Sequence, residues 1–347
     1  MMLGYIQVHQ KNILKSMVES GIPTASHIGL KPHFIAMYGG FKLQGKTAED
    51  AMLILEDALA IQDAGCFMLE FEAVPAKIAA LISKELEINL YIKRDDCTAL
   101  AFGGNKTRHL EFILPKAVSG NYDCIITGAS SQSNWCRQTV AAANKLNLES
   151  FLVVMHGVKG KSMQGNFLLY NILGANVDVV DGEDLEEIPI HLEKKYKELV
   201  KKGRKPLLIN GGFGKEDSVL AGISYANAMA EIDIQMQNNN FIADHLFVTA
   251  ANMTQAGCDL GAKIMNWPTR IQGISPVYWE MDIKKDIARI CTEGAKMLDV
   301  NLEFNADMIN HDNNYVGEKY GVPTPEGLMA TRLLAKKEGI ILDPVYT

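Results

Sequence analysis

The sequence predicts an α/β protein with parallel strands, on three observations. Short β-type apolar runs alternate with amphipathic helical stretches almost from end to end, the pattern of βα units around a parallel sheet. The 347 residues are more than twice the ~150 typical of one domain, which leaves room for two domains or one large α/β domain. With 48% hydrophobic and 22% charged residues the composition is ordinary globular usage, and a sizeable core can be buried.

Each element has a local reason. Thr47, followed by Glu49 and Asp50, opens a helix whose Met52, Leu55, Ala58 and Leu59 share a face and which Gly65 closes. CFMLEF at 66–71 is then a strand. Pro75 starts the next helix, where its missing N–H costs little, and INLYIKR at 88–94 reads as a further strand. A helix from Thr107, a strand at 123–128, a helix from Asn134, a strand at 150–155 and a helix from Met163 follow. Later strands are expected at 176–180, 206–210, 245–250 and 270–275. The charged stretch 183–204 is a solvated helix face, and Gly211, Gly212 and Gly214 form a loop without dinucleotide-binding spacing.

The net charge of −7 supplies no basic field for a phosphate backbone, so nucleic acid is excluded as a partner. The six cysteines are scattered without zinc-knuckle spacing, which implies reduced thiols and no metal site. MMLGYIQVHQKN lacks the basic-then-apolar order of a leader, and no run of about 18 apolar residues occurs. A cytoplasmic protein without membrane contact is expected.

The densest chemistry lies in Gly103-Gly104-Asn105-Lys106-Thr107-Arg108, between the strand ending in Lys93-Arg94-Asp95-Asp96 and a helix. A lysine at a helix start beside Arg108 is disfavoured as an ammonium, and the glycines let a planar ligand approach. A neutral lysine is the form that makes a Schiff base, although these residues alone read more simply as a surface lysine in a turn. Gln132-Ser133-Asn134 follows a strand and opens a helix, so amide N–H groups and the Ser133 hydroxyl converge on an anion such as a carboxylate. An N-cap serine is the plainer reading, and both roles can coexist.

Residues 91–347 resemble the family of 1-aminocyclopropane-1-carboxylate deaminase and D-cysteine desulfhydrase, pyridoxal-phosphate enzymes of fold type II. The resemblance runs through YIKRDDCTALAFGGNKTRHLEF, QSNWCRQTVAAANKL, TQAGCDLGAK with IQGISP, and YVGEKYGVPTPEGLMATRLLAKKEGIILDPVYT. It implies that Lys106 is the Schiff-base lysine and that Asn105 lies beside the ring of pyridoxal 5'-phosphate. It also implies that Thr254, Gln255, Ala256 and Gly257 hold the phosphate, and that Gln132, Ser133 and Asn134 hold the carboxylate of a small amino acid. Ser133, Tyr320 and Tyr346 then join Lys106 as catalytic groups, in a homodimer. Thr347 stands where the deaminases carry an acid, which favours desulfhydration of D-cysteine to pyruvate, ammonia and sulfide. Two departures accompany the match. Ala250-Ala251-Asn252-Met253 replaces a glycine-rich phosphate turn, and a final helix and strand of the family are not represented after Thr347.

Residues 21–87 resemble a different family, ketopantoate hydroxymethyltransferase, a (β/α)8 barrel. GIPTASHIGLKPHFIAMYGGFKLQGKTAEDAMLILEDALAIQDAGCFMLEFEAVPAKIAALISKEL carries the likeness, with His27 in its GH-x-GL-like segment and Glu72 at the catalytic glutamate. A whole barrel needs ~250 residues, so this is a partial barrel-like segment, and 1–87 and 88–347 are the two expected domains. Three functions compete: a pyridoxal-phosphate lyase, a catalytically impaired fusion product, and a ketopantoate-type hydroxymethyltransferase. On the leading reading residues 1–87 serve structurally, covering the larger domain.

Overall fold

A computed structural model describes residues 11–20, 22, 24–30, 42–66, 68–86, 90–156, 162–182, 187–209 and 215–347. The glycines at 211, 212 and 214, residues 183–186 and the first positions of the expected 88–94 strand lie outside these. The chain divides into two compact units, Met1–Ile92 and Lys93–Thr347.

The first unit contains α1 (Lys11–Glu19), β1 (Ala25–Gly29), α2 (Ala48–Asp63), β2 (Met68–Glu72) and α3 (Ala76–Glu85). β1 and β2 pair in parallel, Ala25 opposite Met68 through Gly29 opposite Glu72. The Thr47 hydroxyl accepts from the Asp50 amide at 3.1 Å and so caps α2, with Glu49 and Asp50 against its positive end. The buried face of α2 differs from the expected one: Ile54, Ala58 and Ile61 are buried, while Met52 and Leu59 are exposed. Positions 54, 58 and 61 make one tight stripe at helical spacing, and 52 and 59 lie well around the helix from it. This stripe packs with Leu14, Ile28, Ile82 and Leu86 in a core of its own.

The expected strand at 88–94 is not formed by its described residues. Leu90, Tyr91 and Ile92 are exposed, the Asp95 amide turns back to the Lys93 carbonyl, and a 3₁₀ turn occupies Asp95–Cys97. An apolar run is held as a strand only where a neighbouring strand receives its ladder groups.

The second unit continues with α4 (Lys106–Ile113), α5 (Pro115–Ser119), β3 (Cys124–Ser130), α6 (Asn134–Lys145), β4 (Glu149–Met155), α7 (Gly165–Ile172) and β5 (Asn176–Val180). Then come α8 (Ile188–Lys201), β6 (Pro206–Leu208), α9 (Lys215–Asn238), β7 (His245–Thr249), α10 (Met253–Ile264), β8 (Arg270–Ile274), α11 (Ile283–Met297), β9 (His311–Asp312) and α12 (Pro325–Glu338). Two all-parallel sheets result, of order β5-β4-β3-β6 and β7-β8-β9. β3 and β4 read as unbroken apolar runs because helices cover both faces, burying Ile125, Leu152 and Val154 in one cluster and Ile126, Val153 and Met155 in another. α8 is solvated except for Ile188, Leu192 and Leu199, which pack on that second cluster. Among the described residues no helix is long and apolar enough to cross a membrane.

Candidate active site

Lys106 is delivered by a tightly tethered turn. Ala101, Phe102, Gly103 and Gly104 all have positive φ, from 45° to 126°. The Gly104 amide donates to the Asp95 carbonyl at 2.8 Å and to the Thr98 hydroxyl at 2.9 Å. The Gly103 carbonyl accepts from the buried Gln138 amide and, at 3.0 Å, from Arg137 Nη2. A side chain at Gly104 would run into Gln138, so glycine is required there for conformation and for space. α6 therefore fixes the loop that starts α4, and Thr107 Oγ1 repeats the tie by donating to Gln138 Oε1 at 3.0 Å.

Burial pushes the Lys106 amine down to about 8, against a smaller upward pull from the Asp343 carboxylate. The expected contribution of Arg108 is not the cause. Its guanidinium is spent on Asp95, at 2.9 Å, and on Glu231, at 2.8 Å, in a cluster completed by Lys93 and the Tyr225 hydroxyl.

Ser133 caps α6, its hydroxyl accepting from the Cys136 amide at 3.3 Å. The first amides of α6 lie beside it. The flanking side chains are committed elsewhere. Gln132 accepts from the Asn166 amide at 3.0 Å and donates to the Gln164 carbonyl at 3.2 Å. Asn134 donates to Asp343 Oδ2 and accepts from Asn166, both at 2.8 Å. Gln132 and Asn134 thus act as struts through their side chains.

Asp343 was not singled out in the sequence, yet it joins the parts. Its Oδ1 accepts from the Val345 and Tyr346 amides at 2.8 and 3.2 Å while Oδ2 holds Asn134, so one carboxylate ties the tyrosine turn to the start of α6. The Tyr320 and Tyr346 hydroxyls are 3.3 Å apart, with rings edge-on. Burial raises both phenols, Tyr346 well above its usual range. Both stay protonated near neutral pH. Thr347 is exposed and donates to the Asp343 carbonyl at 2.5 Å. Tyr170, also missed, is fully buried and donates to the Ser133 carbonyl at 2.9 Å.

A shallow pocket open to solvent is lined by Asn105 and Lys106, by residues 249–254 and by Tyr346. It lies at the carboxyl end of β7, where parallel sheets present their ligands. The start of α10 closes it. Asn252 caps its own neighbour, accepting from the Met253 amide at 2.8 Å, and donates to Asp286 at 2.9 Å. The Ala256 amide donates to the Asn252 carbonyl at 2.9 Å and the helical ladder takes that of Gly257. Of the expected phosphate group, Thr254 lines the pocket, and the amides of Thr254 and Gln255 are the ones left for an anion. Ala256 and Gly257 are helix body. The Gln255 side chain is fully buried between the Asn310 carbonyl and His311. His27 is buried on β1 in the first unit, and the side chain of Glu72 lies outside what is described.

Residues 75–347 match the family model of the pyridoxal-phosphate dependent enzymes. The chain belongs to that family. A putative 1-aminocyclopropane-1-carboxylate deaminase of Pyrococcus horikoshii is 35% identical over 79% of this chain and 80% of its own length. The deaminase of Ralstonia nicotianae is 32% identical over 80% and 84%. The crystal structure of an ACC deaminase homologue superposes with a TM-score of 0.67 at 34% identity, over 77% of this chain and 79% of that one. Residues 6–91 match the ketopantoate hydroxymethyltransferase model. Here a 3-methyl-2-oxobutanoate hydroxymethyltransferase of Methylibium petroleiphilum is 81% identical over 79 residues, and the chain covers 27% of its length.

The family is pyridoxal-phosphate dependent, and the donor set fits that group. A half-buried amine of lowered basicity suits its aldehyde, and the Thr254 hydroxyl with two open amides at a helix start suits its phosphate. Lys106, Asn105 and Thr254 share the pocket between those two ends.

Proposed function

We propose that this chain is a pyridoxal-phosphate-dependent lyase of small amino acids that converts D-cysteine to pyruvate, ammonia and sulfide. The observation that carries the lyase reading is the half-buried Lys106, lowered to about 8 by desolvation, sharing a pocket with Tyr346 and the start of α10. When bound, the cofactor supplies an electron sink that makes the substrate's α-proton acidic. Lys106, neutral in an appreciable fraction near pH 7–8, accepts that proton. The Ser133 hydroxyl and the first amides of α6 hold the substrate carboxylate. The Tyr320–Tyr346 pair, held protonated by burial, donates a proton to the departing sulfur. With one water added, D-cysteine is accounted for as pyruvate, ammonia and hydrogen sulfide.

The choice of D-cysteine rests on Thr347 in place of an acid. Ring opening of 1-aminocyclopropane-1-carboxylate is the second reading, favoured by the names of the relatives. One experiment addresses both levels. Borohydride reduction in the presence of pyridoxal phosphate should label the wild-type chain and leave Lys106→Ala unlabelled at unchanged thermal stability. Incubation with each amino acid should give sulfide and pyruvate from D-cysteine and little 2-oxobutyrate from the cyclopropane. Labelling of Lys106→Ala would remove the lysine assignment, and the reverse product pattern would move the substrate to ring opening.

A further inference from the structure

His109 lies one turn after Lys106 on α4, has no exposed surface, and is not needed by the chemistry above. Its Nε2 is 3.3 Å from Thr254 Oγ1, while its buried Nδ1 has no hydrogen-bond partner. Asn105 Nδ2 donates to the same hydroxyl oxygen at 3.1 Å. Burial first, and the neighbouring Lys106 second, push the imidazole well below its usual range, so the ring is neutral and carries one proton.

Where that proton sits follows from the partners. A buried N–H without an acceptor is rarer in folded proteins than a buried acceptor without a donor, so the bare nitrogen is Nδ1 and the proton is on Nε2. His109 then donates to Thr254, as Asn105 does. A hydroxyl oxygen has two acceptor positions and one proton to give. With both positions filled, the Thr254 proton has only the pocket left to point into.

We propose that His109 is a positioning residue which, with Asn105, forces Thr254 to act as a donor to a phosphate monoester in the pocket. This rests on the cofactor site of the preceding subsection. Either His109 tautomer fills the same space, so shape alone does not require this role; a phosphate-specific effect does.

The full chain, freed of bound aldehyde, is to be titrated with pyridoxal phosphate and with pyridoxal, which lacks the phosphate. Thr254→Val should weaken pyridoxal phosphate by roughly tenfold or more, the loss of a hydrogen bond to a charged group. His109→Leu should weaken it by roughly three- to tenfold. Pyridoxal affinity should stay unchanged in both, and the double variant should be no weaker than Thr254→Val alone. Equal losses for the two aldehydes, no loss for pyridoxal phosphate, or additive losses in the double variant would overturn the proposal. A nitrogen-15 spectrum of the wild-type chain gives a reading that needs no variant to fold. His109 protonated at Nε2 supports the proposal, and protonation at Nδ1 refutes it. Failure to capture either aldehyde would instead sink the cofactor site itself, and the nitrogen spectrum would still decide His109.

Discussion

Lys106 shows how burial, more than neighbouring charge, sets reactivity in this site. An ordinary lysine keeps its proton until about 10.5, whereas the half-buried amine loses it near 8. The neutral amine is the nucleophile, so the rate at which the chain captures pyridoxal phosphate should rise with pH and level off above about 8. Stopped-flow measurement across pH 6–11 tests this, and a half-rise near 10.5 would mean a solvated lysine. Asp343 pulls the value upward, so Asp343→Asn should shift the half-rise lower. At this scale the sequence was informative where function sits in contiguous letters: GGNKTR marks the glycine turn and QSN marks the helix start. It was silent about Asp343, Tyr170 and His109. Their partners are 209, 37 and 145 residues away in the chain, and no local pattern encodes such pairs. It was equally silent about the side-chain partners of Gln132 and Asn134, which sit on α7 and in the final turn.

Elements are held in place by close approaches that a sequence pattern registers only as glycines. A side chain at Gly257 on α10 would meet the Gly222 carbonyl and the Tyr225 backbone and Cβ on α9, so the two helices pack backbone to backbone at this point. That close approach gives Gly257 a packing role on α10. Gly257→Ala should therefore destabilise the chain by about 1–3 kcal/mol through overpacking, read from denaturant unfolding. Two residues further along α10, burial raises the Asp259 carboxyl to about 7, a hydrogen bond from Gln255 opposing it. The folded chain then holds a proton between about 4 and 7 that the unfolded chain has released, so stability falls as pH rises through that window. Asp259→Asn, which cannot ionise, should match wild type near pH 4 and melt at a higher temperature at pH 8. Equal melting temperatures at both pH values would argue that Asp259 is solvated. Strands and helices with a clear period, such as β5 at Asn176–Val180 and α6 after its Ser133 cap, were legible from sequence alone. The 88–94 run was not, since alternation specifies a strand only where another strand can receive it.

At the scale of the whole molecule, residues 6–91 match a second family model, and that match raises a question of activity. Each unit has its own buried apolar cluster, Leu14 to Leu86 in one and Leu100 to Ile309 in the other. A chain beginning at Lys93 is accordingly expected to unfold cooperatively and to retain borohydride labelling at Lys106; its aggregation would favour the first unit as a cover. The match to a hydroxymethyltransferase is 81% identical, yet it spans 27% of that enzyme's length. The described residues of the unit form one parallel strand pair, against the eight strands that close a barrel and gather its active site from several strand ends. Magnesium-dependent exchange of the C3 proton of 3-methyl-2-oxobutanoate should thus be absent from the full chain. Exchange that disappears in Glu72→Gln would show instead that the partial segment has kept its chemistry, and would make this a chain with two active sites.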